Sequence, residues 1–206
     1  MSDVIIHETA EVSEEAEIGP GTRIWHWVHV RAGARVGARC VLGQNVYVAP
    51  AARLGDGVRV QNNVSIYDGV VLEDFVFCGP SVVFTNVRTP RSEFPRRDAF
   101  VPTRVGRGAS LGANATVICG VNVGAYAMVG AGAVVTRDVA PHGLILGVPG
   151  RRVGWVCRCG VPLEEAPGED SGPKNPDEAT VLCCPGCDIS YVECEDPERN
   201  GLKEIP

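Results

Sequence analysis

Apolar residues along this chain recur every six positions, at Val12, Ile18, Ile24, Val30, Val36, Leu42, Val48, Leu54, Val60, Ile66, Leu72, Cys78 and Phe84. After one break the same interval returns at Val105, Leu111, Val117, Val123, Val129 and Val135. Four positions after the lead residue stands a small or β-branched one, as in Ala16, Thr22, Val28, Ala34, Cys40 and Val46, and glycine often follows the lead directly. Six does not match the helical repeat of about 3.6 but is a multiple of the strand period of about two, so the unit is a short strand and a turn. Stacked in register, the lead residues make one internal apolar column, which predicts an all-β solenoid of parallel strands.

The pattern divides the chain. A solenoid domain is expected over 1–155 with a loop insertion at 87–104, and a cysteine-rich tail over 156–206. With three strands and eighteen residues per coil, about six coils at roughly 4.8 Å each give a prism about 30 Å tall. A purely structural, noncatalytic solenoid scaffold is the bland alternative, and the polar residues that interrupt the pattern argue against it.

Side chains eighteen apart lie one above another in such a coil. His26, Gln44 and Asn62 form one column, and Trp27, Asn45 and Asn63 the next. Arg31, Ala49, Tyr67 and Thr85 form another, with Asp68 directly beneath Asn86. These columns are expected beside the break and read as a binding surface, against the alternative of an amide ladder that ties coils together. Trp25 and Trp27 fall outside the coil, and burying such rings at a subunit contact predicts a homotrimer. His26 and His29 lack metal-ligand spacing and suit packing or substrate hydrogen bonding.

Charge narrows the choice of partners. The chain has 19 Lys and Arg against 25 Asp and Glu, a net −6, which excludes a general nucleic-acid binder. Yet the loop carries Arg88, Arg91, Arg96, Arg97 and Arg104 against Glu93 and Asp98. Guanidinium forks suit phosphate, so the loop is a candidate clamp for a nucleotide diphosphate or coenzyme A. The N-terminus lacks a basic start and apolar core, and no apolar run is long enough to span a bilayer, so a cytoplasmic protein without membrane insertion is expected.

Six of the nine cysteines, Cys157, Cys159, Cys183, Cys184, Cys187 and Cys194, crowd the tail. Cys157 with Cys159 and Cys184 with Cys187 supply four thiolates for structural Zn2+, with Cys183 or Cys194 as substitutes. The C-x-C first pair departs from the usual knuckle, and reduced free cysteines are the alternative. The segment resembles small zinc ribbons attached to some hexapeptide-repeat proteins.

The six-residue pattern resembles the hexapeptide-repeat family, which implies a left-handed parallel β-helix; generic crossover rules would favour the other hand. The stretches IWHWVHV, LGQNVYV, FCGPSVVFTNVRTPRS and LGANATVICGVNVGAYAMVGAGAVVTRDV are similar to the nucleotide-sugar N-acetyltransferases of that family. The likeness is greatest to those acting on UDP-2-acetamido-3-amino-2,3-dideoxy-glucuronate, with dTDP-3-amino-3,6-dideoxyhexose enzymes as the main competitor. It implies acetyl-CoA as co-substrate, a homotrimer with inter-subunit sites, and an amino sugar for surface polysaccharide, and it sets Asn86 near the acceptor amine. The γ-type carbonic anhydrases of the same family need three metal histidines, and His7, His26, His29 and His142 do not supply them.

For such a reaction Asn86 and Asp68 are the catalytic candidates: the Asn86 amide oxygen orients the amine, and Asp68 holds the amide or receives a proton. His26 is the rival base. Substrate contacts are expected from His26, Arg31, Gln44, Asn62, Tyr67, Arg88 and Arg91. Coenzyme contacts are expected from Gly112, Ala113, Gly130 and Ala131 and from Arg151 and Arg152, with a backbone N–H near Gly112 or Gly130 stabilising the oxyanion. At GVPGRR, Gly147 to Arg152, relatives typically read GNPAR or GVPAR, so Gly150 loosens the exit turn.

Overall fold

A computed structural model describes residues 3–96, 98–166, 180–194 and 201–205. Arg97, the acidic spacer at 167–179 and the Cys194 side chain lie outside the described residues. The chain forms a left-handed β-helix of two- to four-residue strands wound as a triangular prism. No helix is present among the described residues, and none is long and apolar enough to cross a membrane.

Three parallel sheets make the faces. The first runs upward from Ile5–Ile6 through Arg23–Ile24, Val41–Leu42, Arg59–Val60, Phe77–Cys78, Ser110–Leu111 and Met128–Val129 to Gly143–Leu146, closed by the antiparallel Arg151–Trp155. The second holds seven strands, from Glu11–Val12 to Val134–Val135, and the third six, from Glu17–Ile18 to Asn122–Val123. Seven coils rather than about six are therefore wound, because regular pairing begins already at Ile5.

Neighbouring strands are offset by eighteen residues, as in His29 opposite Tyr47 and Tyr47 opposite Ser65. Lead residues and those four positions later point inward, and Val28, Leu42, Val64, Ile66, Leu72 and Leu111 are fully buried. Glycine after a lead residue has a steric reason: a Cβ on Gly112 would stand 2.5 Å from the backbone N of Ala131 in the next coil. The asparagines of the Trp27 column have a conformational one. Trp27, Asn45, Asn63 and Asn114 have φ of 53, 60, 62 and 58°, left-handed backbone that asparagine tolerates well and tryptophan poorly.

The break lies at the corner between the second and third faces. Val83 pairs with Thr116, an offset of 33, so 15 residues beyond one coil are extruded there. The strand Thr103–Val105 resumes the third face earlier than the expected loop end at 104, which takes Arg104 out of the clamp and sets it beside Glu73. The loop's base is closed by Val101 N–H donating to the Asn86 carbonyl and Gly120 N–H donating to the Pro102 carbonyl, at 2.9 and 3.0 Å.

After Trp155 the chain leaves the helix for a four-stranded antiparallel sheet of Glu164–Glu165, Val181–Cys183, Ser190–Cys194 and Gly201–Ile205. Its small core of Trp155, Cys157, Leu182, Cys184 and Tyr191 docks on the β-helix through rings: His142 stacks on Tyr126 and meets Tyr191 at a tilt, with centroids 5.3 and 5.2 Å away.

Candidate active site

The candidate residues divide between two edges of the prism. Asn86 follows directly on the strand Val83–Phe84 and Thr85, at the corner of the second and third faces, one coil above Asp68 and Tyr67. The His26, Gln44 and Asn62 column stands at the corner of the first and second faces, as do Gly112, Ala113, Gly130 and Ala131. The two columns are six residues out of phase, one full face of the coil, so only one of them borders the loop. The expectation that both flank it fails because eighteen-residue stacking fixes height order along an edge, not nearness between edges.

On the loop edge a cavity of about 360 Å3 is lined by Asn86, Val87, Pro90, Arg91, Ser92, Arg96 and Phe100. Asn86 is half-buried, and Phe100 is an exposed ring, a residue the sequence reading passed over. Arg88 faces elsewhere. Its guanidinium lies over Gly120, where a Cβ would come within 2.8 Å of Nη2, and it lines a second cavity of about 440 Å3 with Cys119, Thr136 and Arg137. Arg137 and Asp138 also line the adjoining cavity of about 260 Å3, which reaches Arg151 and Arg152 at the end of the helix. Arg152 rests on the Trp155 ring at 3.9 Å.

Several candidates have partners within the scaffold. Asp68 Oδ1 accepts the Ala51 N–H at 2.7 Å, and no hydrogen bond joins Asp68 to Asn86 among the described residues. Asn62 Oδ1 accepts the Gln44 N–H at 2.9 Å, the ladder contact also made by Asp56 to Ala38 and Asp74 to Asp56. Tyr67 lies by Tyr47, with ring centroids 6.4 Å apart. Arg31 stands two coils below Tyr67, in a separate cavity with Glu11 and His29. His26 stacks on His7 at 3.6 Å.

The proposed oxyanion donors require correction. Gly112 N–H donates to the Val129 carbonyl at 2.7 Å and Gly130 N–H to the Ile145 carbonyl at 2.8 Å, so the β-helix already uses both. The next residues differ: the N–H groups of Ala113 and Ala131 have no partner among the described residues.

In the tail, the sulfurs of Cys157, Cys159, Cys184 and Cys187 lie within 4.8 Å of one another. Separations of 3.4 Å for Cys157 to Cys187, 3.5 Å for Cys159 to Cys184 and 3.7 Å for Cys159 to Cys187 are close to the ~3.8 Å that tetrahedral Zn–S bonds of about 2.3 Å require. Burial raises the Cys157 thiol, but the Cys159 backbone N–H, the Tyr191 hydroxyl and the neighbouring thiols outweigh it and bring its pKa to about 7. Cys183 turns instead to Ser190, at 3.4 Å.

Known proteins fit this architecture. The family model for the bacterial transferase hexapeptide (six repeats) matches residues 15–50, and that for the hexapeptide repeat of succinyl-transferase matches 33–68 and 102–137. The chain is 50% identical over 62 residues to the dTDP-3-amino-3,6-dideoxy-alpha-D-galactopyranose 3-N-acetyltransferase of Aneurinibacillus thermoaerophilus, covering 30% of this chain and 32% of that protein. It is 32% identical over 136 residues to the bifunctional protein GlmU of Synechococcus sp. (strain CC9605), covering 66% and 28%. The chain thus spans about a third of the length of these curated relatives. The UDP-N-acetylglucosamine acyltransferase from Campylobacter jejuni superposes with a TM-score of 0.55 at 11% identity, over 75% of this chain and 74% of that one, a likeness of fold.

Proposed function

We propose that this hexapeptide-repeat chain is an N-acetyltransferase that moves acetyl from acetyl-CoA to the 3-amino group of a nucleotide-linked amino sugar. The observation that carries the reading is the placement of Asn86, which follows the last regular strand before the loop and opens onto a cavity with two arginines. A neutral acceptor amine needs orientation more than a strong base, because a ring amine is less basic than lysine and part of it is neutral near pH 7. The Asn86 amide oxygen accepts a hydrogen bond from that amine. Its nitrogen attacks the thioester carbon, the C–S bond breaks as the tetrahedral intermediate collapses, and the departing sulfur takes the proton, leaving an amide and free CoA. Asp68, held to the lower coil by Ala51, acts as a fixed negative charge beneath the amine rather than as a mobile base.

The oxyanion is assigned to the unpaired N–H of Ala113 or Ala131, which stands on the other edge. A homotrimer joins the two edges. If three prisms turn their second faces toward a common axis, the loop edge of each meets the Ala113–Ala131 edge of the next. The second face suits that role, since from His29 upward its outward residues are His29, Tyr47, Ser65, Val83, Thr116 and Val134, none an Asp, Glu, Lys or Arg. The third face instead presents Arg35, Arg53 and Arg104.

For the nucleotide, the half-identical segment shared with a dTDP-amino-sugar enzyme supports dTDP-3-amino-3,6-dideoxyhexose as strongly as the loop motif supports UDP-2-acetamido-3-amino-2,3-dideoxy-glucuronate, either sugar serving surface polysaccharide synthesis. In the tail, Cys157, Cys159, Cys184 and Cys187 would hold Zn2+, whose closed thiolate shell supplies folding energy and no catalytic water. Thiol release from acetyl-CoA, measured against UDP- and dTDP-linked 3-amino sugars, tests the activity. Turnover with one of them is expected, and release with none would return the protein to the class of binding scaffolds.

A further inference from the structure

The loop after Asn86 does not present its arginines as one clamp. Arg91 and Arg96 line the cavity of about 360 Å3 with Asn86 and Phe100. Arg88 turns to the opposite side, over Gly120, and shares the 440 Å3 cavity with Arg137. That second cavity continues through Arg137 and Asp138 into the one bounded by Arg151 and Arg152. Asp138 does not neutralise the groove alone, for its Oδ1 accepts the Asn122 backbone N–H at 2.8 Å and its Oδ2 faces the Asn122 amide at 3.4 Å. No ion pair engages Arg88, Arg91, Arg96, Arg137, Arg151 or Arg152 among the described residues.

Arg91 and Arg151 each donate to a backbone carbonyl, of Pro90 and Gly150, but guanidinium groups free of carboxylates beside a concavity are the chemistry that receives phosphate. The two sides differ in what else they offer. The Asn86 side is short and carries a half-exposed aromatic ring, which suits a nucleobase or sugar face with a diphosphate beside it. The Arg88 side is a long strip with four cations and no exposed ring, Trp155 being buried beneath Arg152, which suits an extended ligand with several phosphates.

We propose that the loop is a partition between two phosphate seats. Arg91 and Arg96, with Phe100, hold the nucleoside diphosphate of the acceptor. Arg88 and Arg137 hold the phosphates of coenzyme A, continuing to Arg151 and Arg152. The reacting ends of the two ligands meet at the rim where Asn86 stands. This rests on the acetyltransferase reading for the ligands' identities. It moves Arg88 from the sugar to the coenzyme and adds Arg96, Phe100 and Arg137 as specificity determinants.

Gly120 is part of the device. Its φ of +85° favours glycine, and a Cβ there would stand 2.8 Å from Arg88 Nη2 and 2.9 Å from Val101 Cγ1, so a larger residue would require both side chains to shift.

The test is equilibrium binding of CoA, and separately of dTDP and UDP, to the full-length protein by calorimetry, with a thermal melt of each variant to show that it is folded. Arg88→Gln and Arg137→Gln are expected to weaken CoA by about tenfold each and to leave the tighter nucleotide diphosphate within about twofold. Arg96→Gln and Phe100→Ala are expected to do the reverse. Equal weakening of both ligands by Arg88→Gln, no effect of Arg96→Gln on either, or no binding of dTDP or UDP to the unaltered protein would overturn the partition. The split is read without turnover: a chain that shows it but acetylates no amino sugar loses the proposed activity and keeps the partition. Turnover without the split does the opposite.

Discussion

Arg35 on the third face meets Glu17 at 3.1 Å, Arg107 at its corner meets Asp74 at 2.8 Å, and Arg104 pairs with Glu73. Arg53 on the same face donates to the carbonyls of Gly33, Pro50 and Ala52. One corner away, Arg88, Arg96 and Arg137 sit beside cavities without a carboxylate partner among the described residues. The same side chain is spent on coil-to-coil ties in the first region and left available in the second. Composition could not separate them, because both regions are rich in arginine; what separates them is whether the stacked coil puts an acid within reach.

The largest effect that could break this contrast comes from reversing charge. Arg137→Glu is expected to weaken CoA binding by 30-fold or more while the melting temperature holds. Arg104→Ala should leave CoA affinity within about twofold and cost about 1 kcal/mol of stability, since Arg104 is largely exposed and the half-buried Glu73 keeps the Arg107 N–H as a partner. Denaturant unfolding and calorimetry on both variants check the pair. Equal losses of affinity would erase the distinction.

A middle-sized effect should come through the tail. The strand Arg151–Trp155 runs directly into Val156 and Cys157, so the upper end of the groove is continuous with the four-cysteine cluster proposed to hold Zn2+. Removing metal with a strong chelator should weaken CoA binding severalfold and leave dTDP or UDP binding unchanged, and adding Zn2+ back should restore it. Metal analysis near zero per chain in protein purified without chelator would remove the basis of this expectation.

The smallest effect is acidic. Burial lowers the His142 pKa from 6.5, against the opposing pull of the Val156 carbonyl and Glu204. The unfolded chain therefore binds more protons in that window, and the stability due to neutral His142 is whole above pH 6.5 and is lost as pH falls through the folded value. Thermal melts at pH 7.5 and 5.5 should show the drop, and His142→Gln should flatten it.

How much of this was legible in the chain depends on the kind of pattern. The six-residue beat specified the core, because each lead residue from Ile24 to Val135 that it marks is buried. It located the loop, since only an extrusion at Asn86 leaves Val105 in register. Neighbourhood around the prism was less legible. His26 and Asn86 look like parts of one site in a list, yet they differ by six positions in coil phase and so occupy different edges. Backbone donors were hidden altogether: Gly112 and Ala113 are adjacent in sequence, and only the hydrogen-bond ladder distinguishes the used N–H from the unused one. The asparagine column had a local signal that could have been read, namely the left-handed turn that Asn45, Asn63 and Asn114 share. The four sulfurs came together as their spacing suggested, whereas Phe100 carried no motif and entered only through the cavity it lines.

The proposal that acetyl transfer occurs where Asn86 opens onto the loop cavity is tested most directly by steady-state kinetics of Asn86→Ala on the accepted amino sugar. The variant is expected to lose 100-fold or more in kcat while KM for acetyl-CoA stays within about twofold, the signature of an interaction made in the transition state rather than in coenzyme binding. An unchanged kcat, or a loss confined to the KM for acetyl-CoA, would contradict it.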